Sequence, residues 1–531
     1  MKTFLKSTAT ILLLFLYSCD ANKSESIASE DDTNEVVAPS IIPLPSEVNW
    51  DNKYYRLPAE NIICTDNPET VSWLQKLLHE AGLNTSVQTG SDCGNWNVQI
   101  NSEKLESLGE EGYELYITDK GVKIKAAAEA GVFYAVQTLR QMFPVEIEKG
   151  ESVSTTVDLP QGTIQDQPTY QWRGTMVDMA RSFFGLDYLK RHVDRMALYK
   201  MNRLHLHLTD DQGWRIEIKG KPKLTEIGSK GSVVRGRSGY LTQEEYLELQ
   251  DYALARNIII IPEIDMPGHI YSALLSYPEL NCDNFENLSP KRATPPELFR
   301  NYNVGWSKLC LENPKIYEFV SEVIGEMAAI TKGPWIHIGG DEIEDPRYKE
   351  FVVKADSIVR AYDKITIGWE EVTQAEVSPD LISQSWRGTV ESVVPDIKVI
   401  HSLCSQFYFD HGNVPGQENT NNWCKKSGVS LEDAYSFDNE DPNIIGVEVP
   451  VWSEFVLTDE MMDNRFWPRA IAAAEIAWTP GAQRDYASFK KRLGRHGDRL
   501  RALNINFFRT PGIDWGKESK AGIFSNFLPA Q

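Results

Sequence analysis

Several common functional signatures are missing from this chain of 531 residues. It has no phosphate-binding glycine loop, no dinucleotide fingerprint and no H-E-x-x-H metal motif, which argues against the best-known nucleotide-dependent and zinc-hydrolase classes. None of its seven cysteines has the C-x-x-C spacing of zinc sites. Positive charge is scarce, since 54 Lys and Arg stand against 76 Asp and Glu, a formal net charge of −22. Nucleic acid is therefore not an expected partner, because phosphate binding needs a basic face.

Long apolar runs are also absent beyond the N-terminus, where two lysines precede the apolar residues 9–17. This stretch is too short to span a bilayer. A basic start and a short apolar core predict a signal peptide. The ending Leu16-Tyr17-Ser18-Cys19 resembles a bacterial lipobox, so we interpret residues 1–19 as a signal peptide whose Cys19 is lipidated. An ordinary cleaved signal peptide is the alternative.

Residues 20–40 follow this leader and are polar, acidic and without periodicity. Such a composition predicts a flexible tether. The leader and the tether together predict an exported bacterial protein, held at a membrane in the periplasm or on the cell surface by its lipid alone.

The six remaining cysteines fall into three pairs that are local in sequence: Cys64 and Cys93, Cys282 and Cys310, and Cys404 and Cys424. Export would permit disulfide bonds. Local pairing is the favoured interpretation and six buried free thiols are the alternative, because a sequence does not determine connectivity.

Residues 41–167 have the mixed pattern of a small non-catalytic α+β domain. Helical periodicity appears at 69–82 and 128–143. Between them, 112–126 alternates like two strands joined at Asp119-Lys120-Gly121.

From residue 168 to 531 strands alternate with helices, which is typical of a parallel sheet. Eight strand candidates occur, at 172–179, 203–209, 257–264, 335–339, 365–369, 381–386, 397–403 and 444–452. Helices are predicted at 187–200, 242–256, 314–331, 347–362 and about 464–477. Eight βα units over this length predict an α/β fold, a (β/α)8 TIM barrel preceded by the small α+β domain.

Active sites of such barrels lie at the C-terminal ends of the strands. Those ends carry acids and aromatics: Asp178 and Arg181, Asp210 and Asp211, Asp265 and His269, Asp341 and Glu342, Trp369 and Glu370, Trp386 and Arg387, Tyr408 and Asp410, and Trp452 and Glu454. Each alone could be structural, but their joint placement predicts a site.

Carboxylates and tryptophans indicate sugar hydrolysis, which needs an acid for the leaving oxygen and a group that stabilises an oxocarbenium-like carbon. The strongest candidates, Asp341 and Glu342, are adjacent. They therefore cannot flank a glycosidic bond as the usual acid and nucleophile.

The segment from His337 to Glu342, His-Ile-Gly-Gly-Asp-Glu, resembles the H-x-G-G-D-E signature of family 20 glycoside hydrolases, the β-N-acetylhexosaminidases. Further matches lie at 172–181, at 208–215 (LTDDQGWR) and at 265–269 (DMPGH), and the N-terminal domain from Pro43 resembles the family's non-catalytic domain. The resemblance covers nearly the whole chain.

The resemblance implies a retaining exo-β-N-acetylhexosaminidase that removes terminal β-linked GlcNAc or GalNAc from glycans, without a cofactor or metal. The acetamido oxygen of the substrate attacks the anomeric carbon and forms an oxazolinium ion, an exception to the two-carboxylate scheme. Glu342 would be the general acid and then the base, and Asp341 would hold the acetamido N–H. Both must lie beyond the strand, because consecutive strand residues point to opposite sides.

The remaining roles are implied by motif. Arg181 would bind the 3- and 4-hydroxyls, Tyr408 would orient the acetamido carbonyl, and Asp410 and Glu454 would hold the outer hydroxyls. Three tryptophans would wall the pocket: Trp369, Trp386 and Trp452. His269 and Asp210 would support Glu342, with Asp210 rather than Asp211 expected to face His269.

Two structural expectations and two functional alternatives complete the interpretation of the sequence. The acid Glu342 is expected to have a raised pKa, through burial among the tryptophans and the like charge of Asp341. The residues Val447-Glu448-Val449-Pro450-Val451 are unusual for the family and suggest a bent last strand. A glycan-binding lipoprotein with an inactive barrel is the alternative function. Release of a disaccharide or of a sulfated sugar is the alternative specificity.

Overall fold

The computed structural model describes residues 37–101, 105–150, 156–282, 297–388, 392–439 and 441–516. The predicted signal peptide, Cys19 and most of the predicted tether lie outside these residues. From Ala38 onward the described chain forms one compact unit.

A seven-stranded mixed sheet forms the N-terminal part. Its strands are β1 (Glu47–Arg56), β2 (Glu60–Thr65), β3 (Asn84–Thr89), β4 (Trp96–Ile100), β5 (Tyr113–Thr118), β6 (Gly121–Ala126) and β7 (Asp158–Asp166), in the order β1-β7-β5-β6-β4-β2-β3. The predicted hairpin is confirmed as β5 and β6, which pair antiparallel. The two predicted helices are confirmed as α1 (Ser72–Glu80) and α2 (Glu129–Met142).

A closed barrel of eight parallel strands follows, as the sequence predicts. Its strands are β8 (Trp172–Asp178), β9 (Arg203–His207), β10 (Ile259–Glu263), β11 (Trp335–His337), β12 (Ile365–Trp369), β13 (Ile382–Ser385), β14 (Lys398–His401) and β15 (Ile444–Val451). The barrel closes because β15 pairs with β8 from Gly446 to Val451. Apolar side chains fill the space between the strands and the surrounding helices.

Helices of the barrel part are α3 (Leu186–Leu198), α4 (Lys223–Glu226), α5 (Gln243–Leu254), α6 (Tyr271–Ser276), α7 (Lys315–Ile330), α8 (Tyr348–Ala361), α9 (Cys404–Phe407), α10 (Leu431–Tyr435), α11 (Asp459–Phe466), α12 (Arg469–Trp478), α13 (Tyr486–Arg495) and α14 (Gly497–Ala502). The last helix, predicted near 464–477, is confirmed as α12, but it begins only at Arg469 because α11 and α12 are separated at Trp467-Pro468. Proline has no amide hydrogen to continue a helix.

The last strand does not bend where its unusual residues suggested. Pairing with β8 is regular through Pro450, and the register shift lies at the start of β15, against β14 between Val399 and Ile400. Glu448 is buried and accepts hydrogen bonds from Trp172 Nε1 and Gln384 Nε2. Trp452 and Glu454 therefore follow a regular strand end.

The local cysteine pairing is confirmed by three disulfides: Cys64–Cys93, Cys282–Cys310 and Cys404–Cys424, with Cα atoms 5.7, 4.9 and 6.1 Å apart. Among the described residues, no helix combines the length and apolar character that crossing a bilayer requires.

Candidate active site

The turn after β11 presents Asp341 and Glu342 side by side. The strand ends at His337, and Gly339 and Gly340 follow with φ values of +67° and +99°. A Cβ atom on Gly339 would lie 1.8 Å from Asp265 Oδ1, so only glycine fits there. Because the chain turns at these glycines, both acids lie past the strand and reach the same neighbour.

That neighbour is His269, in the loop after β10. Its Nε2 atom lies 3.5 Å from Glu342 Oε2 and 3.7 Å from Asp341 Oδ2. Asp341 is 13% exposed in its side chain and Glu342 33%. The two acids therefore share one imidazole, and Glu342 is the one more open to solvent.

Asp210, not Asp211, faces His269 on the other side of the ring. Asp210 Oδ1 lies 3.4 Å from His269 Nδ1. Asp211 instead accepts hydrogen bonds from the Ser307 hydroxyl and from the Tyr271 amide at 3.1 Å. The structure thus places Asp210, His269 and Glu342 in a row.

Arg181 lies beside this row and is buried. Its Nη2 atom is 2.7 Å from Asp210 Oδ2, and its guanidinium lies 4.9 Å from the centre of the Trp452 ring. Arg181 Nε, Asp341 Oδ1 and Asp410 Oδ1 are buried and have no hydrogen-bond partner among the described residues. Because buried polar atoms are normally hydrogen-bonded, these three are available to a polar ligand.

Three aromatic side chains that contact one another lie near the acids. The Trp452 ring centre lies 5.8 Å from that of Trp369 and 6.1 Å from that of Tyr408. Burial raises the pKa of Tyr408 well above its usual value, so its hydroxyl stays protonated and can donate a hydrogen bond. The contacts join Trp369, Tyr408 and Trp452 into one surface.

Trp386 lies apart from that group and reaches it through Trp423, a residue that the sequence reasoning missed. The Trp423 ring centre is 5.7 Å from Trp386 and 6.0 Å from Tyr408, and the residue is 49% exposed. The Cys404–Cys424 disulfide closes this segment. The sequence signal for Trp423 was its position next to Cys424, because the expected partner of that cysteine, Cys404, lies just before Tyr408 in the sequence.

Glu371 was also missed. It accepts a hydrogen bond from Trp386 Nε1 at 3.2 Å and pairs with Arg387 Nη2 at 2.5 Å. Burial and then the charge of Asp341 raise its pKa to about 7. The neighbouring Glu370 accepts the Trp386 amide and Arg387 Nε, so the two glutamates together anchor the Trp386 segment.

The two residues expected at the outer hydroxyls lie near other ionisable side chains. Asp410 Oδ2 is 3.2 Å from His411 Nδ1. Burial raises the pKa of Glu454 to about 7, although the nearby Arg181 charge acts in the opposite direction. Glu454 therefore shares the electrostatic environment of Arg181.

The pKa values of the two adjacent acids differ from the expectation. Burial raises the pKa of Asp341 to about 6, with a further contribution from the charge of Glu342. Burial also acts to raise the pKa of Glu342, but the hydrogen bond and charge of His269 outweigh it and the net shift is downward. The expected raised pKa of Glu342 is thus wrong for the ligand-free protein, because a cation faces this carboxylate and the tryptophans do not bury it fully.

Three clusters of histidines and acids could hold a metal by composition: His205, Glu263 and His337; His207, Glu263 and Asp265; and Asp210, Asp265 and His269. Their donor atoms are largely engaged with protein. His207 Nδ1 binds Glu263 and His207 Nε2 binds Asp210, while His337 Nδ1 accepts the Gly339 amide. We interpret these clusters as ion-paired networks.

Comparison with known proteins identifies the family. The sequence model of the catalytic domain of glycosyl hydrolase family 20 matches residues 170–351 and 348–481, and that of domain 2 of the same family matches 38–167. A β-hexosaminidase of Porphyromonas gingivalis is 30% identical over 96% of this chain and 68% of its own length. A β-N-acetylhexosaminidase of Cellulomonas fimi is 32% identical over 78% of this chain and 83% of its own.

Comparison with solved structures leads to the same family. The N-acetyl-β-hexosaminidase of Streptomyces plicatus, in complex with Thio-NAglucal, superposes with a TM-score of 0.82 at 34% identity, covering 91% of this chain and 100% of that one. The chain therefore belongs to glycosyl hydrolase family 20 and is a glycoside hydrolase of the β-N-acetylhexosaminidase type.

Proposed function

We propose that the protein removes terminal β-linked GlcNAc or GalNAc from the non-reducing ends of glycans, with retention of configuration and with the substrate's acetamido group as nucleophile. The observation that carries this proposal is the pairing of Asp341 and Glu342 on one imidazole, beside a pocket with unpartnered buried polar atoms. Two adjacent acids suit two different tasks on one sugar better than attack from opposite faces.

In the first step the acetamido carbonyl oxygen forms a bond to C1 while the glycosidic bond breaks. Glu342 gives its proton to the leaving oxygen, and Asp341 accepts the acetamido N–H and stabilises the positive charge of the oxazolinium ring. Tyr408 donates a hydrogen bond from its hydroxyl group to the acetamido carbonyl oxygen. In the second step Glu342 takes a proton from water, which adds to C1 and restores the acetamido group.

Binding of the sugar would supply the protonated acid that the ligand-free protein lacks. A sugar in the pocket displaces water from the 33% exposed side chain of Glu342. Loss of water disfavours the charged form of a carboxyl group and raises its pKa. The shared His269 is the nearest source of the proton, with Nε2 3.5 Å from Glu342 Oε2.

The sugar itself would be held by the polar atoms left unpartnered at the rim. Arg181 would bind the 3- and 4-hydroxyls, and Asp410 and Glu454 the outer hydroxyls. Trp369, Trp386 and Trp452 would pack on the ring and the acetamido methyl. The half-exposed Trp423 offers a stacking surface for the leaving sugar, because it lies outside Trp386 and Tyr408.

Relatives support the substrate class. A further Streptomyces plicatus structure holds GlcNAc as product, and a Vibrio harveyi exo-β-N-acetylglucosaminidase of the family, 27% identical with a TM-score of 0.75, holds N-acetylglucosamine. A glycan-binding protein with an inactive barrel would have no need for the Asp341–Glu342 pair. Release of a disaccharide or of a sulfated sugar remains the competing specificity.

A panel of aryl β-glycosides of GlcNAc, GalNAc, glucose and lacto-N-biose tests the proposal. We expect turnover of the acetamido sugars and a GlcNAc-thiazoline that binds tightly as an intermediate mimic. Glucoside turnover equal to that of the GlcNAc substrate would refute acetamido participation. Faster release of lacto-N-biose would shift the specificity to disaccharides.

We also propose that the protein is exported and anchored by lipid on Cys19. The lipobox-like leader and the three disulfides support this, since disulfides persist in oxidising compartments. When the full chain is expressed in a bacterium, we expect it in the detergent phase of a phase separation. Recovery in the aqueous phase, with Cys19→Ser behaving identically, would contradict lipidation.

A further inference from the structure

A chain of alternating acids and imidazoles runs through the barrel interior. It begins at Glu448, whose Oε1 atom lies 2.8 Å from His205 Nδ1. His205 Nε2 lies 3.1 Å from Glu263 Oε2, and the same oxygen lies 2.5 Å from His207 Nδ1. Strands β15, β9 and β10 thus contribute in turn.

The chain continues to the active site. His207 Nε2 lies 3.0 Å from Asp210 Oδ2, and Asp210 Oδ1 lies 3.4 Å from His269 Nδ1. His269 Nε2 then reaches Glu342 at 3.5 Å. Seven side chains therefore connect the unusual glutamate of β15 with the proposed acid.

The two ends of this chain differ. Glu448 is fully buried, whereas Glu342 is 33% exposed in its side chain. Of the two ends, solvent therefore meets the chain at the Glu342 end. This geometry suits a chain that holds a fixed pattern of charge rather than one that conducts protons across the barrel.

The charge pattern follows from the contacts. Facing carboxylates raise the pKa of His205 to about 9 and the pKa of His207 and of His269 well above the usual value, although burial acts against all three. Burial instead lowers the pKa of His337, which also faces Glu263. The contacts thus favour the charged form of three imidazoles of this cluster and the neutral form of the fourth.

We propose that His207, kept charged by Glu263, is a positioning residue that holds Asp210 ionised and so sets the pH range in which the His269–Glu342 pair carries the proton for the leaving sugar. This inference rests on the proposed function and extends it to residues beneath the pocket. It adds His207 and Glu263 to the row formed by Asp210, His269 and Glu342.

Asp210 lies between the cations of Arg181, His207 and His269. The positive charge of His207 makes it easier for the nearby His269–Glu342 pair to lose its proton. Removal of that charge would hold the proton to a higher pH.

Other charged or titratable groups also face these residues. Those facing His207 are Glu263, Asp210, Asp178, Asp265 and Asp341. Those facing the His269–Glu342 pair are Asp210, Asp211, Asp265, Asp341, Glu371 and Arg181. None of them is changed in the test below.

His207 and Glu263 also touch the pocket floor, so charge must be separated from packing. Glu263 Oε1 accepts Trp369 Nε1 at 2.9 Å, and the His207 ring lies 4.9 Å from the Trp452 ring. A loss of activity alone would fit either role. A shift in the pH profile fits only the electrostatic one.

The test is the pH profile of kcat/KM for an aryl β-GlcNAc in His207→Gln, where glutamine keeps a donor for Asp210 but has no charge. We expect the basic limb to move up by about one pH unit, the size of effect of a charge a few ångströms beyond a buried pair. His205→Gln removes a charge two links further away and is expected to shift the limb in the same direction by less. His337→Gln, which replaces a neutral imidazole of the same cluster, is the matched control and is expected to leave the limb in place.

An unmoved basic limb in folded His207→Gln would overturn the inference, whatever the loss of rate. Equal shifts in His207→Gln and His337→Gln would do the same. Should His207→Gln fail to fold, His205→Gln carries the test, and an unmoved limb there overturns it. Failure of the proposed function would look different, because the wild-type protein would then not hydrolyse the GlcNAc substrate at all.

Discussion

Two arginines lie at opposite ends of the same strand, β8, and differ in what they bind. Arg173, near its start, is completely buried and uses Nε, Nη1 and Nη2 on Lys200 O, Tyr170 O, Tyr134 and Glu111, at 2.7 to 3.2 Å. Arg181, beyond its end, is also buried, but its Nε has no hydrogen-bond partner in the part of the chain that the structure describes. The start of the strand is therefore built for stability and its end for a ligand.

The carboxylates repeat this contrast. Glu111, the partner of Arg173, is subject to a burial effect that raises its pKa, but Arg173 outweighs it and the net shift is downward. Asp341, at the other end of the barrel, has its pKa raised to about 6 by burial and by the charge of Glu342. The charged groups at the start of β8 are paired with protein partners. At the rim, burial and a neighbouring charge destabilise the ionised form of Asp341, and a bound substrate can relieve this destabilisation.

The largest expected effect is at Glu342. Glu342→Gln removes the acid, and general acid help is worth about 10²–10⁴-fold. We expect a loss of that order in kcat/KM on a GlcNAc disaccharide and a much smaller loss on an aryl glycoside of an acidic phenol, which leaves without protonation.

The matched control is Asp341→Asn, because this change weakens the proposed contact with the acetamido group and leaves the protonation of the leaving group intact. Both substrates are expected to lose activity to a similar degree. Equal losses on both substrates in Glu342→Gln would remove the acid role from this residue.

The two arginines give the next effect. Arg181→Met is expected to lower kcat/KM by roughly 10–100-fold, since a hydrogen bond to a charged group contributes about 1.5–3 kcal/mol. Arg173→Met leaves the partly buried carboxylate of Glu111 without its cationic partner. It is expected to lower stability by about 3 kcal/mol, while kcat/KM per folded molecule changes little. Kinetics and thermal unfolding of both variants check this, and the reverse pattern would break the comparison between the two ends of β8.

A smaller effect is expected at Trp423. Trp423→Ala should raise KM for a GlcNAc disaccharide by about 2–10-fold, the value of one aromatic contact. The affinity for GlcNAc-thiazoline, which has no leaving sugar, is the control and should not change. Equal weakening of both ligands would place Trp423 in the terminal-sugar pocket instead.

The smallest effect concerns stability and pH. The folded-state pKa of Asp341, about 6, lies above its value in an unfolded chain, so the folded form loses stability as pH rises from about 4 to 6. Asp341→Asn removes this loss, and we expect a Tm about 2 °C above wild type at pH 7 and equal to it at pH 4. A Tm difference that is constant across this range would mean that Asp341 is not destabilised by its site.

Most of the barrel and the acids at its rim could be predicted from the sequence, because the signals for them are local. The barrel strands are short segments that carry apolar residues, interrupted by polar ones in β9 and β13. The residues just after the strands, such as Asp341 and Arg181, are placed at the rim by the topology of the barrel. Most strands of the N-terminal sheet were not predicted, because their pattern is broken by loops and edge positions. The two cysteines around Trp423 were seen, but that its ring reaches Tyr408 depends on the path of a long loop.

Electrostatics was the least predictable part. The pKa of Glu342 depends on His269, which lies more than 70 positions earlier in the sequence and meets it only through the barrel. The same holds for Glu448, which looked like an irregularity of β15 and is the buried end of a chain of contacts that reaches Glu342. Sequence motifs identify such residues but do not show which charges face one another.

The proposed role of the substrate's acetamido group as nucleophile can be tested with a series of aryl β-glycosides of glucosamine carrying N-acetyl, N-fluoroacetyl, N-difluoroacetyl and N-trifluoroacetyl groups. Fluorine withdraws electrons and weakens the carbonyl oxygen as a nucleophile, while the size of the group changes little. We predict that kcat falls steeply with each added fluorine. A kcat that is independent of fluorination would contradict this prediction and assign the attack on C1 to a group of the protein.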